Sequence, residues 1–241
     1  MSHSQSALRN AWTTSSVAKR VFDVIFAAGA LLLSWPLILL GALAVKLTYG
    51  GPAFYRARRA GLGGVPFDMF KLRTMSVGCD AEDRRITEPE DERVTLVGRP
   101  LRKFKIDELP QFWNVLRGEM SVVGPRPEDW EIVKKHYGQG ERRTLTLRPG
   151  ITSPAEVRWY PDLAYRFPPP PGVPLQQHYL AQHLPARLAE EIRYVEHHNL
   201  LIDLKVIAQT AACILVRSWR LPERQTSIPE SRKHSAISTE G

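Results

Sequence analysis

The stretch VIFAAGALLLSWPLILLGALAV, from Val24 to Val45, is an uncharged apolar run with Ser34-Trp35-Pro36 at its centre. As one straight helix it would be roughly 33 Å long, enough to cross a hydrocarbon core of roughly 30 Å. Pro36 lacks a backbone donor and clashes with the preceding turn, which predicts a bend or a break there. The halves on either side, Val21 to Leu33 and Leu37 to Leu47, would each be too short to span the core.

Basic residues flank this run on both sides. Lys19 and Arg20 precede it, and further basic residues follow it at Lys46, Arg56, Arg58 and Arg59. Because Lys and Arg favour the cytoplasmic side, both ends are predicted to lie there. The pattern favours a re-entrant hairpin over residues 17–48, with the Ser34 hydroxyl or neighbouring protein bonding a carbonyl that Pro36 frees. A Pro-kinked spanning helix, a buried helix of a soluble protein and a signal peptide remain alternatives.

The composition limits the compartment and the partners. Two cysteines, Cys79 and Cys213, give no disulfide framework, which fits a reducing compartment. A net charge of +8, from 33 Lys and Arg against 25 Asp and Glu, indicates an anionic partner such as lipid head groups or nucleotide diphosphates. Nucleic acid is not expected, because the basic residues are dispersed among apolar motifs and no nucleic-acid-binding module is present.

The chain is predicted to be an α/β protein, helix-rich and α+β-like, with a small cytosolic domain at residues 49–221. The polar segments 1–16 and 222–241 are predicted to be disordered. The Pro-rich run from Trp159 to Pro185 (residues 159–185) is predicted to be an extended excursion without a core. Residues 200–220 are predicted to form an apolar helix in the membrane interface.

Turn and cap residues predict the shorter elements. A β-hairpin is expected from Pro52 to Met75, around the turn at Gly61 to Gly64. The other predicted elements are helices at Asp107 to Arg117, Pro127 to Tyr137 and Arg187 to His198, and a strand at Met120 to Val123.

The most specific local feature is Ile106-Asp107-Glu108-Leu109-Pro110-Gln111. Pro110 near the start of a helix places Asp107 at or next to the N-cap, so helix capping is the simplest explanation of this aspartate. An ionised carboxylate can alternatively attack a phosphoryl group and form an acyl phosphate, provided that cations neutralise the repulsion between the anions. The basic residues that could do so are Lys71, Arg73, Arg102, Arg126 and Arg148.

Several long motifs occur in a fixed order. They are KRVFD at Lys19 to Asp23, the Ser34 to Pro36 break, KLRTM at Lys71 to Met75, DELPQ at Asp107 to Gln111, NVLRGEMSVVGPRP at Asn114 to Pro127, RPGIT at Arg148 to Thr152 and YVEHHNLLIDLKV at Tyr194 to Val206. In this order the motifs resemble the bacterial sugar transferase family of monotopic phosphoglycosyl transferases.

The resemblance implies transfer of a sugar 1-phosphate from a nucleotide diphosphate sugar, expected to be a UDP-sugar, to polyprenyl (undecaprenyl) phosphate. This reaction would initiate exopolysaccharide, O-antigen or glycoconjugate synthesis at the cytoplasmic face of the bacterial inner membrane. Asp107 would be the nucleophile and Glu108 its partner. Both would hold Mg²⁺, or Glu108 would instead manage the proton. Phosphate contacts are implied at Lys71, Arg102, Arg126 and Arg148.

Some positions depart from the family pattern. Lys105 stands where a small hydroxyl residue usually precedes the Asp-Glu unit, and Glu156 stands where Gln is more common. These departures put the choice of sugar in doubt. A non-catalytic adaptor that binds anionic lipids, with Asp107 as a helix cap, is one rival function. A transferase that works by single displacement is another.

Two weaker signals are discounted. Cys79 and Arg85 have the spacing of a tyrosine phosphatase loop, but the acidic residues between them would repel a phosphate. The histidines have no helical i, i+4 pair, so packing or surface roles are expected rather than metal binding; they are His178, His183, His197 and His198.

Overall fold

The computed structural model describes residues 3–76, 86, 91–159 and 168–217, with side chains from Val17 to Leu215. The Cys79 and Arg85 pair, residues 160–167 of the Pro-rich run and the tail 222–241 lie outside the described residues.

The first element is one long helix, α1 (His3–Tyr49), with Pro36 inside it. Of the two outcomes predicted at Pro36, a break is therefore wrong, because the helical backbone continues past the proline. The Ser34 hydroxyl does not bond a freed carbonyl: it is buried and has no hydrogen-bond partner among the described residues. The helix also includes residues 3–16, for which disorder was predicted, since extending an existing helix is easier than starting one.

Most of the apolar side chains of α1 face outward. Leu32 is 72% exposed, Leu33 is 81% exposed and Leu47 is 76% exposed. A core helix of a soluble protein would bury these side chains, so that alternative is wrong. Among the described residues, the stretch Val17–Tyr49 is the one helix long and apolar enough to cross a membrane by length and composition.

The first half of α1 is tied to the rest of the protein by polar contacts. Lys19 Nζ lies 2.7 Å from Asp203 Oδ2 and 3.6 Å from Asp23 Oδ1. The guanidinium of Arg20 donates to the carbonyls of Val115 and Leu116, at 2.7 and 3.1 Å. The KRVFD motif therefore fixes α1 to the domain that follows it.

The second half of α1 packs against the same domain through apolar contacts. Val45 forms a buried cluster with Leu72 and Leu101, and Tyr49 Oη accepts a hydrogen bond from Leu96 N at 3.0 Å. A Cβ on Gly41 would lie 2.7 Å from Leu72 Cδ1, so a larger residue at this position would require the Leu72 side chain to shift. Both ends of the apolar run are thus held by one folded domain.

The predicted β-hairpin is confirmed. Strands β1 (Phe54–Ala60) and β2 (Pro66–Leu72) pair antiparallel, and Tyr55 lies opposite Lys71. The turn Leu62–Gly64 uses positive φ angles at Gly63 and Gly64, which glycine adopts without strain.

The middle of the chain builds a second small sheet with short helices around it. Strand β3 (Ser121–Val123) pairs in parallel with β4 (Gly150–Thr152). The helices are α2 (Gly98–Lys103), α3 (Gln111–Arg117), α4 (Trp130–His136), which Asp129 caps, and α5 (Pro154–Trp159). A Cβ on Gly150 would lie 2.1 Å from the backbone of Gly124, so the two loops cross in direct backbone contact.

The end of the Pro-rich run is not an extended excursion. Helix α6 (Leu175–His178) continues through the π-helical turn Tyr179–His183 into α7 (Leu184–His197). Tyr179 and Leu184 are buried in a core cluster with residues of α4 and α7. The prediction was wrong for this part because Tyr179 and Leu184, which are five residues apart, are brought to one buried side by the π-helical turn between them.

The last described element is helix α8 (Leu200–Ala212), which continues as a π-helical segment, Cys213–Arg217. Asn199 caps it by accepting a hydrogen bond from Ile202 N at 2.9 Å. Leu201 is 78% exposed on its outer face, whereas Val206 lies in the main core. The described part of the chain is thus helix-rich with two small sheets, compatible with the predicted α/β class.

Candidate active site

Asp107 and Glu108 lie in a tight turn between α2 and α3. Lys105 starts this turn with φ 57°, the one positive φ at a residue other than glycine in the described part of the chain. A 3-10 turn, Ile106–Glu108, follows, and Pro110 then begins α3. Ile106 packs against α1, so the turn is held next to this long apolar helix.

Asp107 does not cap a helix. No side-chain cap bond is present at the start of either the 3-10 turn or α3. Asp107 is only 5% exposed, and its Oδ1 is buried without a hydrogen-bond partner among the described residues. Because no such cap bond is present, the capping explanation of Asp107 is wrong. The buried, unpartnered oxygen instead destabilises the folded protein.

The surroundings of Asp107 combine burial with charge. Burial raises the pKa of Asp107 to about 6, and the neighbouring Glu108 carboxylate raises it too. The cations of Lys71, Lys105 and Arg102 act in the opposite direction. Asp107 is therefore ionised at neutral pH but held in a strongly perturbed state, which is common at sites of chemistry.

Glu108 has the opposite behaviour. Its Oε1 lies 2.8 Å from Lys71 Nζ and 3.6 Å from Lys105 Nζ. Burial would raise the pKa of Glu108, but Lys105, Lys71 and Arg126 together lower it well below its usual range. Glu108 is thus a permanently charged carboxylate that positions cations beside Asp107.

Two more predicted cations belong to this group. Arg102 donates from Nε to Thr74 Oγ1 at 2.8 Å, and its charge acts on Asp107. Burial lowers the pKa of Lys71, although Glu108 and Asp107 favour its charged form. The structure therefore brings Lys71 and Arg102 to Asp107, as the sequence predicted.

Arg126 joins the group from the Gly124-Pro125-Arg126-Pro127 loop. Its backbone N–H donates to Glu191 Oε1 at 3.1 Å, and its guanidinium pairs with Glu156 of α5. The loop is thus fixed at both its backbone and its side chain, with the guanidinium close enough to Glu108 to lower that pKa.

A buried network of charged residues stabilises the loop that carries Arg126. Glu128 bonds to Arg187 and accepts a hydrogen bond from Tyr179 Oη at 2.5 Å. Burial would raise the pKa of Glu128, but Arg187 and Arg59 lower it to about 2. The sequence does not predict this network, because Tyr179 lies in the run from Trp159 to Pro185 that was predicted to lack a core, whereas Arg187 lies in the predicted helix that follows it.

Two predicted phosphate contacts lie elsewhere. Arg148 donates from Nε to the carbonyl of Gly118 at 2.8 Å, at the end of α3 away from Asp107. A guanidinium there binds a carbonyl at a helix C-terminus, where cations are favourable. Arg73 donates to the carbonyl of Pro52 at 3.2 Å and lies over the ring of Tyr55. Neither arginine is brought to the carboxylate pair.

Two cavities meet beside Glu108. One is a small polar cleft lined by Arg59, Met69, Lys71, Glu108, Gln111, Arg126, Pro127, Gly150, Ile151 and Glu156. The other is an apolar cavity of about 280 Å³ between α1, α3, α5 and α8. Glu108, Ile151 and Glu156 line both. Asp107 lies just outside both linings, next to Glu108.

Lys105 and Glu156 are site residues that the sequence did not select. Lys105 lines the apolar cavity, and Glu156 lies in the wall between the two cavities. In the sequence, both residues stand out only as departures from the family pattern. These departures are the signal that points to them.

The adjacent carboxylates of Asp107 and Glu108 fit one common mode of magnesium binding. No group of three or more His, Cys, Asp or Glu residues that could hold a metal is found among the described residues. Mg²⁺ is commonly held by one or two carboxylates together with substrate phosphates. Two adjacent carboxylates, one with a buried oxygen that has no partner, fit that mode of binding.

The histidines have packing roles in the described part of the chain. The ring of His183 is fully buried and packs edge-on against His178, with centroids 4.8 Å apart. His197 and His198 have ring nitrogens near backbone carbonyls of α7, at 3.0 and 2.9 Å.

Residues 14–217 match the family described as bacterial sugar transferase. A UDP-glucose:undecaprenyl-phosphate glucose-1-phosphate transferase of Caulobacter vibrioides is 41% identical over 203 residues, covering 82% of this chain and 69% of that protein. The exopolysaccharide production protein ExoY of Rhizobium meliloti is 37% identical over 218 residues, covering 82% of this chain and 86% of that protein.

A UDP-N-acetylgalactosamine-undecaprenyl-phosphate N-acetylgalactosaminephosphotransferase of Aeromonas hydrophila is 39% identical over 141 residues, covering 58% of this chain and 33% of that protein. The relatives therefore act on different sugars, so similarity of this kind does not identify the sugar. The extent of the family match and the identity to these relatives show that the chain belongs to the bacterial sugar transferase family of phosphoglycosyl transferases.

Proposed function

We propose that this protein transfers a sugar 1-phosphate from a nucleotide diphosphate sugar, expected to be a UDP-sugar, to undecaprenyl phosphate through a covalent intermediate on Asp107. The observation that carries the proposal is a nearly buried carboxylate with an unpartnered oxygen, surrounded by Lys71, Lys105 and Arg102. A carboxylate that neither caps a helix nor forms a hydrogen bond through that oxygen is available for chemistry.

In the first step, an oxygen of Asp107 attacks the sugar-bearing phosphorus of the donor. The bond from that phosphorus to the bridging oxygen breaks, and nucleoside monophosphate leaves with the electron pair. Lys71, Arg102 and Arg126 would offset the negative charge that accumulates as the two anions approach. Because Asp107 is only 5% exposed, we infer that the donor diphosphate first draws Lys71 away from Glu108.

In the second step, a phosphate oxygen of the lipid acceptor attacks the same phosphorus. The bond between phosphorus and Asp107 breaks, the carboxylate is regenerated, and a polyprenyl diphosphate sugar results. No proton has to move if the acceptor phosphate is a dianion. The covalent step therefore needs a nucleophile and cations rather than a general base.

We infer that Asp107 and Glu108 hold Mg²⁺ together with the donor phosphates. The ion would neutralise phosphate charge at the reacting centre. Its binding would relieve the unfavourable burial of the free Asp107 oxygen, which is the feature of this site that favours a cation.

We also propose that α1 enters and leaves the bacterial inner membrane by the cytoplasmic leaflet. Lys19 and Tyr49, at opposite ends of the apolar run, both contact the domain that carries Asp107. A domain that touches both ends is most simply placed on one side of the bilayer. A soluble donor would then reach the site from water and the acceptor from the leaflet.

The proposal is tested with purified protein, Mg²⁺ and a panel of nucleotide diphosphate sugars, without the lipid acceptor. We expect one donor to exchange labelled nucleoside monophosphate, and Asp107→Asn to abolish the exchange. Asp68→Asn is the matched control, because Asp68 is an exposed partner of Arg58 on β2. Transfer to the lipid without any exchange would indicate single displacement, and full activity of Asp107→Asn would exclude the proposed nucleophile.

A further inference from the structure

The apolar cavity beside Glu108 has walls suited to a hydrocarbon chain. They come from Phe26 of α1, Phe112 of α3, Val157 of α5 and Ile207 and Ile214 at α8. The wall hydroxyls are already bonded: Thr210 lies 2.6 Å from Thr152 Oγ1 and 2.8 Å from the carbonyl of Val206. Since its polar atoms are satisfied internally, this wall offers an apolar surface.

One end of the cavity is charged. Among the described residues that line it, Lys105 is the one cation, and it stands with the carboxylates of Glu108 and Glu156. Glu108 is bonded to Lys71 at 2.8 Å, and Glu156 is paired with Arg126. Lys105 lies 3.6 Å from Glu108, beyond hydrogen-bonding distance, so its ammonium is the least committed charge at this end.

The backbone of Lys105 has a conformation that is unusual for a lysine. Its φ of 57° is left-handed, a conformation that Gly or Asn adopts more readily than Lys. Strained residues that persist at the edge of a reactive site are often held there by function. Here the turn places the Lys105 ammonium at the apolar cavity. The same turn places Asp107, two residues later, beside Lys71.

We propose that Lys105 binds the phosphate of an isoprenoid phosphate, whose first isoprenoid units occupy the apolar cavity between α1, α3, α5 and α8. The ligand class follows from the cavity: apolar walls suit a hydrocarbon chain, and a cation at the reactive end that forms no hydrogen bond to Glu108 suits an anionic head. This assignment rests on the proposed function, because it places the acceptor phosphate within reach of the phosphosugar carried by Asp107.

Binding of farnesyl phosphate, with farnesol as the uncharged probe, tests the assignment without catalysis. We expect Lys105→Met to weaken farnesyl phosphate binding about tenfold, the loss of one charge-assisted contact, and to leave farnesol binding unchanged. Ala211→Phe, which fills the cavity wall, should weaken both probes. Lys103→Met is the matched control, because Lys103 is exposed two residues earlier and does not line the cavity.

Three results would overturn the assignment: unchanged farnesyl phosphate binding by Lys105→Met, equal losses for the two probes, or equal binding of phosphatidylglycerol at the same site. Lys105→Asn guards against misfolding, since Asn tolerates the left-handed backbone. It should bind like Lys105→Met, and Lys105→Arg should recover much of the affinity.

A kinetic experiment separates this inference from the proposed function. At pH 8.5, where Asp107 is ionised, the wild type should release nucleoside monophosphate without the acceptor. Lys105→Asn should raise the acceptor KM about tenfold, whereas Lys103→Met should leave that KM unchanged. If the wild type releases no nucleoside monophosphate, the proposed function fails. If the wild type does so and the acceptor KM of Lys105→Asn is unchanged, the assignment of Lys105 alone fails.

Discussion

Asp107 and Glu108 are adjacent carboxylates whose surroundings move their pKa values in opposite directions. Burial raises the pKa of Asp107 to about 6, whereas Glu108 has a lowered pKa because Lys105 and Lys71 outweigh its burial. One carboxylate is therefore held in an unfavourable charged state, and the other organises the cations around it. Such a division is typical of paired carboxylates with different chemical roles.

Asp107→Asn is predicted to stabilise the metal-free protein at pH 8. The folded-state pKa of about 6 lies above the ordinary value of 3.8, so the folded protein prefers protonated Asp107. Stability therefore falls as pH rises from about 4 to 6, and the ionised group costs about 1 to 3 kcal/mol above that range. Asn does not ionise. Thermal unfolding in detergent with a chelator should show the gain at pH 8 and none near pH 4.

Glu108→Gln is the control for that prediction. The lowered pKa of Glu108 means that its stabilising charge is present above its ordinary value of 4.5 and is lost only in acid. Removing the charge leaves Lys71 without its hydrogen-bonded partner, so this variant should be destabilised at pH 8. If both variants were destabilised at pH 8, burial of the ionised Asp107 carboxylate would not be unfavourable, and the prediction would be contradicted.

For single residues, the short ordered motifs of the sequence predicted most of the cations that lie close to Asp107 in the structure. Lys71, Arg102 and Arg126 reach the carboxylate pair through charge interactions or direct contacts. Arg148 does not, because the carbonyl of Gly118 binds its side chain. A motif fixes which residues are present, whereas long-range packing decides which partner a flexible guanidinium meets.

The attachment of α1 depends on a buried charge network around Lys19 and Asp23. Asp203 is fully buried and receives hydrogen bonds from Lys19 at 2.7 Å and from Tyr194 Oη at 2.6 Å. Asp23 accepts a hydrogen bond from Val122 N at 3.1 Å. These contacts join α1, α7, α8 and β3, so the orientation of the membrane helix is coupled to the sheet beside the site.

Lys19→Met is predicted to destabilise the protein by about 2 to 4 kcal/mol, because it leaves the buried Asp203 carboxylate without a cation. The midpoint of thermal unfolding in detergent measures the effect. Lys134→Met is the control, since the pair of Lys134 with Glu131 is exposed and should contribute less than about 0.5 kcal/mol. Equal, small effects of both substitutions would show that the network does not hold α1.

Elements with local signals were predicted well. Alternation and glycines identified the β1–β2 hairpin, and Gly118 ended α3 with φ 81° as expected. The helix over Tyr179 was missed because neighbouring prolines dominated the local pattern, and its apolar residues have meaning only once α4 is packed against them. Local chemistry fixes turns and caps, whereas burial against a distant element is decided by the whole chain.

At the scale of the molecule, the contacts of α1 with one domain at both ends have a consequence for topology. Single cysteines at positions 15 and 58, with Cys79 and Cys213 replaced by Ser, should resist an impermeant maleimide in intact spheroplasts and react after permeabilisation. Arg58 is chosen because its side chain is 60% exposed on β1. Labelling of position 15 alone in intact cells would mean that α1 crosses the bilayer, and the re-entrant topology would be excluded.

The most direct test of the central claim is the mass of the enzyme after reaction with its donor in the absence of the lipid acceptor. Intact-mass and peptide analysis should show an added hexose phosphate, or the corresponding phosphosugar, on Asp107, and the adduct should disappear when polyprenyl phosphate is added. Asp107→Asn should carry no adduct. An active enzyme that never acquires this mass, or acquires it on another residue, would contradict the account.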